Sequence, residues 1–418
     1  MVDINLIREK PQEIQQAAAA KGATIDIEKI LELDNQFQSL QREIQTLREE
    51  RNTIAKSIKG KPTSEQVEKG KKVKEELDKK EQVFQKIESE LKALLLTIPN
   101  PSKPDVKVGK DDSENEVIKT VGEPREFTFK PKDHLELGES LGIINVKQAA
   151  LVSGARFDYL LGDGALLEAS LRQLAFDTLT KEGFIPVSPP VLIKQDIMEG
   201  LGYTAMGESE NIFSLDKDGL YLVGTSEQSV VPLHMNDVLQ KEDLPRRYVS
   251  YSSSFRREAG SYGKDTRGIF RVHQFNKVEM VSFVAEGEDD KEHEYLLSIE
   301  EKFFQMLEIP YQVLRICTGD LGFNAARKYD IEAWIPTQGK YREVTSASTV
   351  TDFQSRRLNM KYQDGKDRKY LQVLNGTAFS MNRPIVTILE NYQQEDGSVV
   401  VPDVLRKYMG KDKIEVKK

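Results

Sequence analysis

The sequence predicts an α+β protein: an N-terminal antiparallel helical hairpin of coiled-coil type, then a compact domain with a mostly antiparallel sheet flanked by helices. Three observations carry this. Between residues 26 and 98, apolar side chains recur every three or four positions on both sides of a single Gly/Pro break. A stretch rich in Pro, Asp, Glu and Lys, residues 99–126, separates that region from the rest and reads as a linker that ends in an edge of the next domain. Beyond about residue 127, strand-like runs follow one another without a helix between each, which argues against a doubly wound parallel sheet. The expected domains are residues 1–105, containing the arm at about 26–98, and residues 106–418.

The first arm helix places Ile30, Leu33, Phe37, Leu40, Ile44, Leu47, Ile54 and Ile58 on one stripe, interrupted only by Arg51. Lys59-Gly60-Lys61-Pro62-Thr63-Ser64 breaks it, and Thr63 or Ser64 would cap the second helix. That helix continues the stripe with Val73, Leu77, Phe84, Ile87, Leu91, Leu94 and Ile98, and Pro99-Asn100-Pro101 stops it. Two helices of about 32 residues make a hairpin of roughly 48 Å. Further on, helices are predicted over Leu166–Lys181, Lys291–Leu307 and Ile385–Tyr392. A strand interrupted by Pro189-Pro190 is predicted over Phe184–Ile193. Arg247–Glu258 and Gly268–Ala285 read as a strand pair around a polar loop. More strands are expected near Ile309–Ile316, Asp330–Pro336, Tyr341–Ser346 and Tyr370–Leu374.

Composition narrows the function. No apolar run approaches the ~20 residues that span a bilayer, so no membrane association is expected. The first residues lack a leader pattern, and Cys317 is the sole cysteine, so a cytoplasmic protein without an internal disulfide is expected. The four histidines show no metal-ligand spacing, and neither GxxxxGK[ST] nor GxGxxG occurs. The net charge of −8 hides an asymmetry. Residues 48–74 hold nine bases (among them Arg48, Arg51, Lys69, Lys71, Lys72 and Lys74) against four acids, a local charge of 9 − 4 = +5. A basic tip on an acidic protein suits a polyanionic partner, although coiled coils also carry solvated charges of this kind.

The chemistry concentrates in FRREAGSYGKDTRGIFRVHQFNKVEM, residues 255–280. On an extended strand Arg271, Phe275 and Glu279 would share a face, as would Arg256 and Glu258. Such a surface offers cations for phosphate, a ring for a base and a carboxylate for an ammonium group. An amphipathic hairpin with surface ion pairs would show the same alternation.

This segment resembles motif 2 of class II aminoacyl-tRNA synthetases in the seryl form, fRxEaGs followed by RGxxRxHQFxKvE. Other landmarks resemble the same family in order: Gly183-Phe184 with Pro189-Pro190 (motif 1), Thr225-Ser226-Glu227 (TxE), Glu343-Val344-Thr345-Ser346 (EVSS), and Asn375-Gly376-Thr377 with Arg383 (motif 3). The resemblance spans essentially the whole chain, the hairpin matching the family's tRNA-gripping arm. It implies a homodimer that uses ATP, L-serine and Mg²⁺ and charges tRNA(Ser), with tRNA(Sec) a further substrate where present. Arg256, Arg271 and Arg383 are implied as the catalytic cations. ATP would meet Arg256, Arg257, Glu258, Val272 and Phe275 from motif 2, Glu343, Val344, Thr345 and Ser346 from the EVSS-like stretch, and Arg383. Within that set the resemblance implies that Arg256 bridges the serine carboxylate and the α-phosphate, that Glu258 reads the adenine amino group, and that Phe275 stacks on the base. Arg271 and Arg383 lie on the γ-phosphate side. Serine would meet Thr225, Ser226, Glu227 and Arg256, with Glu279 and Thr377 selecting its hydroxyl, and Glu343 and Ser346 would ligate the metal. Thr345-Ser346-Ala347-Ser348-Thr349-Val350 departs from the family's SSCSNC, and GLGYTAMGESENIF from its GTGxLPKF. Two rivals are a relative that loads a carrier protein, which would lack the arm, and a catalytically dead RNA-binding paralogue.

Overall fold

The computed structural model describes residues 1–58, 60–206, 208–259, 265 and 267–416. Lys59 of the basic tip, and Gly260 and Ser261 of the motif 2-like segment, lie outside the described residues. The chain divides into two compact units, Met1–Pro101 and Ser102–Lys418.

The first unit opens with two short helices, Ile4–Glu9 and Pro11–Ala20, and then forms the hairpin from α1 (Ile27–Ser57) and α2 (Ser64–Leu96). Asp26 caps α1 by accepting from the Lys29 N–H, and Thr63 and Gln66 form a reciprocal capping box at the start of α2. Ile30, Leu33, Ile44 and Leu47 are buried on α1, and Val73, Leu77, Ile87 and Leu91 on α2. The rings of Phe37 and Phe84 stack with centroids 4.7 Å apart. The pairs Glu43–Lys80 and Glu50–Lys69 run in opposite order along the two helices, which fixes them as antiparallel. Near its end the seam buries Leu95 where the repeat predicted Leu94, and Ile98 is fully buried as predicted. A helix of 3.6 residues per turn drifts against a 3.5-residue repeat.

The second unit is built on one eight-stranded sheet. Its strands are β1 (Glu116–Val121), β2 (Ile185–Val187), β3 (Arg246–Phe255), β4 (Gln274–Val284), β5 (Tyr311–Arg315), β6 (Arg327–Ile335), β7 (Lys340–Thr351) and β8 (Gln372–Ser380). Their order is β1-β5-β6-β7-β8-β4-β3-β2, and every neighbouring pair is antiparallel except β2 with β3. The helices α3 (His134–Ser140), α4 (Val146–Ser153), α5 (Asp163–Lys181), α6 (Asp289–Met306) and α7 (Asn382–Tyr392) belong to this unit. One large buried cluster joins Leu171 and Leu174 of α5, Phe303 and Phe304 of α6 and Ile388 of α7 to Val278 and Met280 of β4. On the other face, Tyr248, Val281, Phe283, Val350 and Val373 join a second buried cluster with Met198, Leu201 and Val230, and the remaining residues of that face are left for chemistry.

Three expectations need correction. Part of the supposed linker is the edge strand β1, paired with β5. Phe184–Ile193 is two short strands in different sheets: β2 joins the large sheet, while Leu192–Lys194 pairs with Leu220–Leu222. The prolines between them lack the N–H that a continuous ladder needs. The motif 2-like strands are shorter than expected, so Arg256, Glu258 and Arg271 all fall beyond strand ends. Glu258 takes a left-handed φ of 53°, which a strand does not allow.

Candidate active site

Strand β4 supplies the floor. Phe275, Lys277 and Glu279 alternate on its open face, opposite Ser254, Ser252 and Ser250 of β3. Small hydroxylated residues there leave the space that larger side chains would fill. On β8, Thr377 pairs with Glu279.

Bulges complete the face. In a regular strand, residues three apart point to opposite sides, so Glu343 and Ser346 would separate. The β6–β7 register shifts at this point: Ile331 faces Thr345 and Glu332 faces Glu343, leaving Val344 as the extra residue. The two-for-one count turns Val344 and Thr345 toward the helices and returns Glu343 and Ser346 to a common side. A second bulge between Thr377 and Phe379 does the same for Thr377 and Ser380, which both line the site.

The result is a cavity of about 520 Å³ lined by Thr225, Glu227, Glu279, Lys277, Asn375 and Lys328 among others. Beside it is a smaller one of about 80 Å³ lined by Phe275, Val272, Thr377, Glu343 and Arg383. Arg256, Glu258, Arg271, Lys277 and Ser346 line both. The Arg256 guanidinium is 5.3 Å from the centre of the Phe275 ring, and its Nε donates to the Gly224 carbonyl at 3.2 Å. Arg271 pairs with Glu258 at 2.5 Å, and Arg383 with Glu343 at 3.0 Å. Thus Arg271 and Glu258 meet without sharing a strand face, through the loop that leaves β3 and the limb that enters β4.

Charge is finely balanced in the larger cavity. Burial pushes the Glu279 carboxyl up to about 7 despite Lys277, whose Nζ is 2.5 Å away. Burial also raises Glu227, which accepts from Tyr203 Oη at 2.8 Å and Gln354 Nε2 at 3.1 Å. Lys277 donates as well to Thr225 Oγ1 at 3.2 Å. Two buried carboxylates face Lys277 and Arg256, and carboxylates so placed favour the ammonium group of an amino acid over a neutral group. In the smaller cavity, desolvation opposes the Glu343 charge, yet Arg383, Lys328 and Arg256 outweigh it and hold Glu343 well below the usual carboxylate range. An ionised carboxylate beside the Ser346 hydroxyl is an all-oxygen donor pair, which suits a hard cation such as Mg²⁺ that takes its remaining ligands from phosphate and water. Among the described residues, no group of three or more His, Cys, Asp or Glu forms a self-sufficient metal site.

Several anticipated residues are turned elsewhere. Ser226 is buried and accepts a hydrogen bond from Ser250 Oγ at 2.8 Å. Thr345 gives its hydroxyl to Glu300 of α6 at 2.8 Å, on the helix side of the sheet, and only its place in the chain borders the smaller cavity. Arg257 is exposed, binds the Ile212 carbonyl at 2.8 Å and lies over the Phe213 ring. Alternation along the TxE-like and EVSS-like stretches could not predict these outcomes, because a short helix turn and a bulge decide them. Conversely, the sequence assigns no role to Lys277, Lys328, Tyr203 or Gln354, and names Asn375 only as part of the motif 3-like stretch. Lys277 was visible in principle, two residues from both Phe275 and Glu279 on the same strand face. Lys328 was hidden, since it comes from β6 and depends on the pairing Lys328 with Ser348.

An antiparallel sheet carrying this constellation, with no phosphate-binding glycine loop, defines the core of a class II aminoacyl-tRNA synthetase. Comparison agrees: residues 212–392 match the model of the tRNA synthetase class II core domain (G, H, P, S and T), and residues 1–102 match that of the seryl-tRNA synthetase N-terminal domain. The serine–tRNA ligase of Thermobifida fusca is 46% identical over 418 residues, covering 99% of this chain and 98% of the relative. That of Acidothermus cellulolyticus is 45% identical with 100% of both chains covered. Seryl-tRNA synthetase from Pyrococcus horikoshii complexed with ATP superposes with a TM-score of 0.92 at 40% identity and 100% coverage of both chains. The cytoplasmic enzyme of Naegleria fowleri in complex with AMP gives 0.88 at 32%, covering 100% of this chain and 99% of that one. The chain belongs to the seryl-tRNA synthetase family, and with it to the serine–tRNA ligases.

Proposed function

We propose that this site activates L-serine with ATP and transfers the seryl group to the 3′ end of tRNA(Ser), with tRNA(Sec) as a further acceptor where it occurs. The observation that carries the reading is the position of Arg256, which lines both the cavity holding Glu227 and Glu279 and the cavity holding Phe275 and Arg383. One guanidinium thereby reaches an amino acid's carboxylate and a nucleotide's α-phosphate together. Adenine stacks on Phe275 and gives its amino group to Glu258, while Arg271 and Arg383 meet the triphosphate tail. The serine ammonium sits by Thr225 and Glu227, and its hydroxyl by Glu279 and Thr377.

The serine carboxylate attacks the α-phosphorus in line, a phosphorus–oxygen bond forms, and the bond to pyrophosphate breaks with its electron pair. The attacking carboxylate is already ionised at neutral pH, so no general base is needed. Negative charge gathers on both sides of phosphorus, which Arg256, Arg271 and Arg383 stabilise. Glu343 and Ser346 would hold Mg²⁺, which when bound adds further positive charge at the phosphates. In the second step a terminal ribose hydroxyl attacks the mixed anhydride and AMP leaves. Charging of a tRNA(Ser) transcript with labelled serine tests the proposal: serine should be esterified to the 3′ end, and absence of charging in the presence of ATP and Mg²⁺ would refute it.

Specificity has its own test. Glu279→Ala should raise the Michaelis constant for serine far more than that for ATP, since it leaves the adenine side intact. Equal rises would misplace the pocket. The pH dependence follows from the raised carboxyl: at about pH 6 Glu279 keeps its proton and at about pH 8 it has lost it. The ionised form is the stronger acceptor for a hydroxyl and the better partner for an ammonium. Activity at low serine should therefore rise with pH through about 7, and Glu279→Gln should abolish that limb.

We also read the chain as a cytoplasmic homodimer, with a tRNA-binding domain at residues 1–105 and a catalytic domain at 106–418. Exposed apolar side chains support a second copy: Leu151 and Val152 on α4, Leu161 beyond it and Leu166 on α5. Light scattering at micromolar concentration should give twice the 47.5 kDa chain mass, and a stable monomer would count against this.

A further inference from the structure

We propose that His134, outside every recognised motif, is a positioning residue that locks the limb carrying Arg271 to the helix carrying Arg383. The Ile269 N–H donates to His134 Nε2 at 3.3 Å, so this nitrogen is the acceptor and the ring proton sits on Nδ1. Nδ1 faces Glu390 Oε1 at 3.1 Å, and the His134 N–H donates to the same oxygen at 3.1 Å. The other carboxylate oxygen, Glu390 Oε2, accepts from Thr337 Oγ1 at 2.6 Å. Glu390 is fully buried and His134 nearly so, which removes competing water and makes each bond directional.

Two further contacts press the same limb onto the start of α3. Gly268 adopts φ +82°, and a Cβ there would stand 2.1 Å from His134 Nε2, so only glycine lets the backbone lie against the ring. Arg267 pairs with Asp133, the α3 N-cap, at 3.0 Å. Three successive residues, Arg267, Gly268 and Ile269, are thus held by Asp133 and His134, and Arg271 follows two residues later. Glu390 lies seven residues after Arg383, two turns along α7 and close to the same side. The chain Ile269–His134–Glu390 therefore sets the spacing between Arg271 and Arg383, the two cations assigned to the triphosphate tail. A carboxylate that fixes an imidazole tautomer so that the far nitrogen holds a third group is the logic of an orienting triad, used here on a backbone amide rather than a nucleophile.

This inference rests on the reading of Arg271 and Arg383 given above. It predicts a selective defect. In serine-dependent ATP–pyrophosphate exchange, His134→Ala should raise the Michaelis constant for ATP about tenfold or more. Affinity for a seryl-sulfamoyl-adenosine analogue, which lacks the β- and γ-phosphates, should stay within about twofold. His134→Gln, whose Oε1 can accept from the Ile269 N–H, should recover part of the loss. Gly268→Ala leaves the buried ring in place but pushes it off Ile269, so it should give the same selective defect should His134→Ala fail to fold. In a His134→Ala background the added cost of Gly268→Ala should shrink. Equal loss of ATP and analogue, or an unchanged ATP constant in a folded variant, would overturn the proposal. Arg271→Ala separates the two layers: if it leaves the ATP constant unchanged, the reading of the tail-binding arginines fails; if it raises the constant while His134→Ala does not, only the positioning role fails.

Discussion

Arg256→Ala is expected to lower serine-dependent ATP–pyrophosphate exchange about a hundred- to a thousandfold, the usual cost of removing one charge-assisted contact that strengthens in the transition state. Position explains the size. The guanidinium borders both cavities, between the Gly224 carbonyl and the Phe275 ring, so it reaches attacking carboxylate and attacked phosphate together. As the oxygen–phosphorus bond forms, charge concentrates beside Arg256, and Arg271 and Arg383, paired with Glu258 and Glu343, are assigned to the triphosphate tail. The loss should fall on kcat as well as on both Michaelis constants. Arg256 is half-buried and outside the apolar core, so the variant should keep its melting temperature. Near wild-type exchange in the folded variant would remove Arg256 from the mechanism.

The second large effect divides the chain's two tasks. Deleting residues 36–91 and closing the gap with a short Gly/Ser linker should leave pyrophosphate exchange intact and reduce tRNA charging severely. The unit Ser102–Lys418 has its own buried core and contains every residue assigned to serine or ATP. What the deletion removes is the basic end of the hairpin. Lys69, Lys71 and Lys72 are well exposed and form surface pairs with Glu50, Glu75 and Glu68, of 3.4, 3.9 and 2.9 Å. Such pairs contribute at most about 1 kcal/mol each and yield readily to phosphate. Arg48 is similarly paired with Glu81 at 2.8 Å. Replacing Lys69, Lys71, Lys72 and Lys74 with Gln should raise the Michaelis constant for tRNA and flatten its salt dependence, because fewer counterions are released on binding. Normal charging by the arm-deleted enzyme would make the hairpin's charges a solvated face.

How far residues alone reveal such a site depends on which level of structure sets each side chain. The hairpin was legible because its seam is a repeat, and repeats are local: Ile30 to Leu91 needed only helical spacing. The pairing of Arg271 with Glu258 was legible as a cluster, though for the wrong reason, since loop backbone and not strand alternation brings them together. Glu343 and Ser346 share a face only because Val344 is an extra residue in the β6–β7 ladder, and a bulge is a property of two strands, not of one. The same bulge sends Thr345 to Glu300, and one helical turn sends Ser226 to Ser250. Lys328 and His134 were illegible for a related reason. Lys328 reaches the site through its ladder pairing with Ser348, and His134 through bonds to residues 135 and 256 positions away, and nothing near either in the chain marks it.

The most direct measurement is pyrophosphate exchange into ATP by the purified full chain, with each of the twenty amino acids supplied singly. Serine alone should support robust exchange. Alanine should fail because it leaves the buried Glu279 and Thr377 without a hydroxyl to bind, and threonine should support exchange far less than serine. Absence of exchange with serine, or equal exchange with either of those two, would contradict the account.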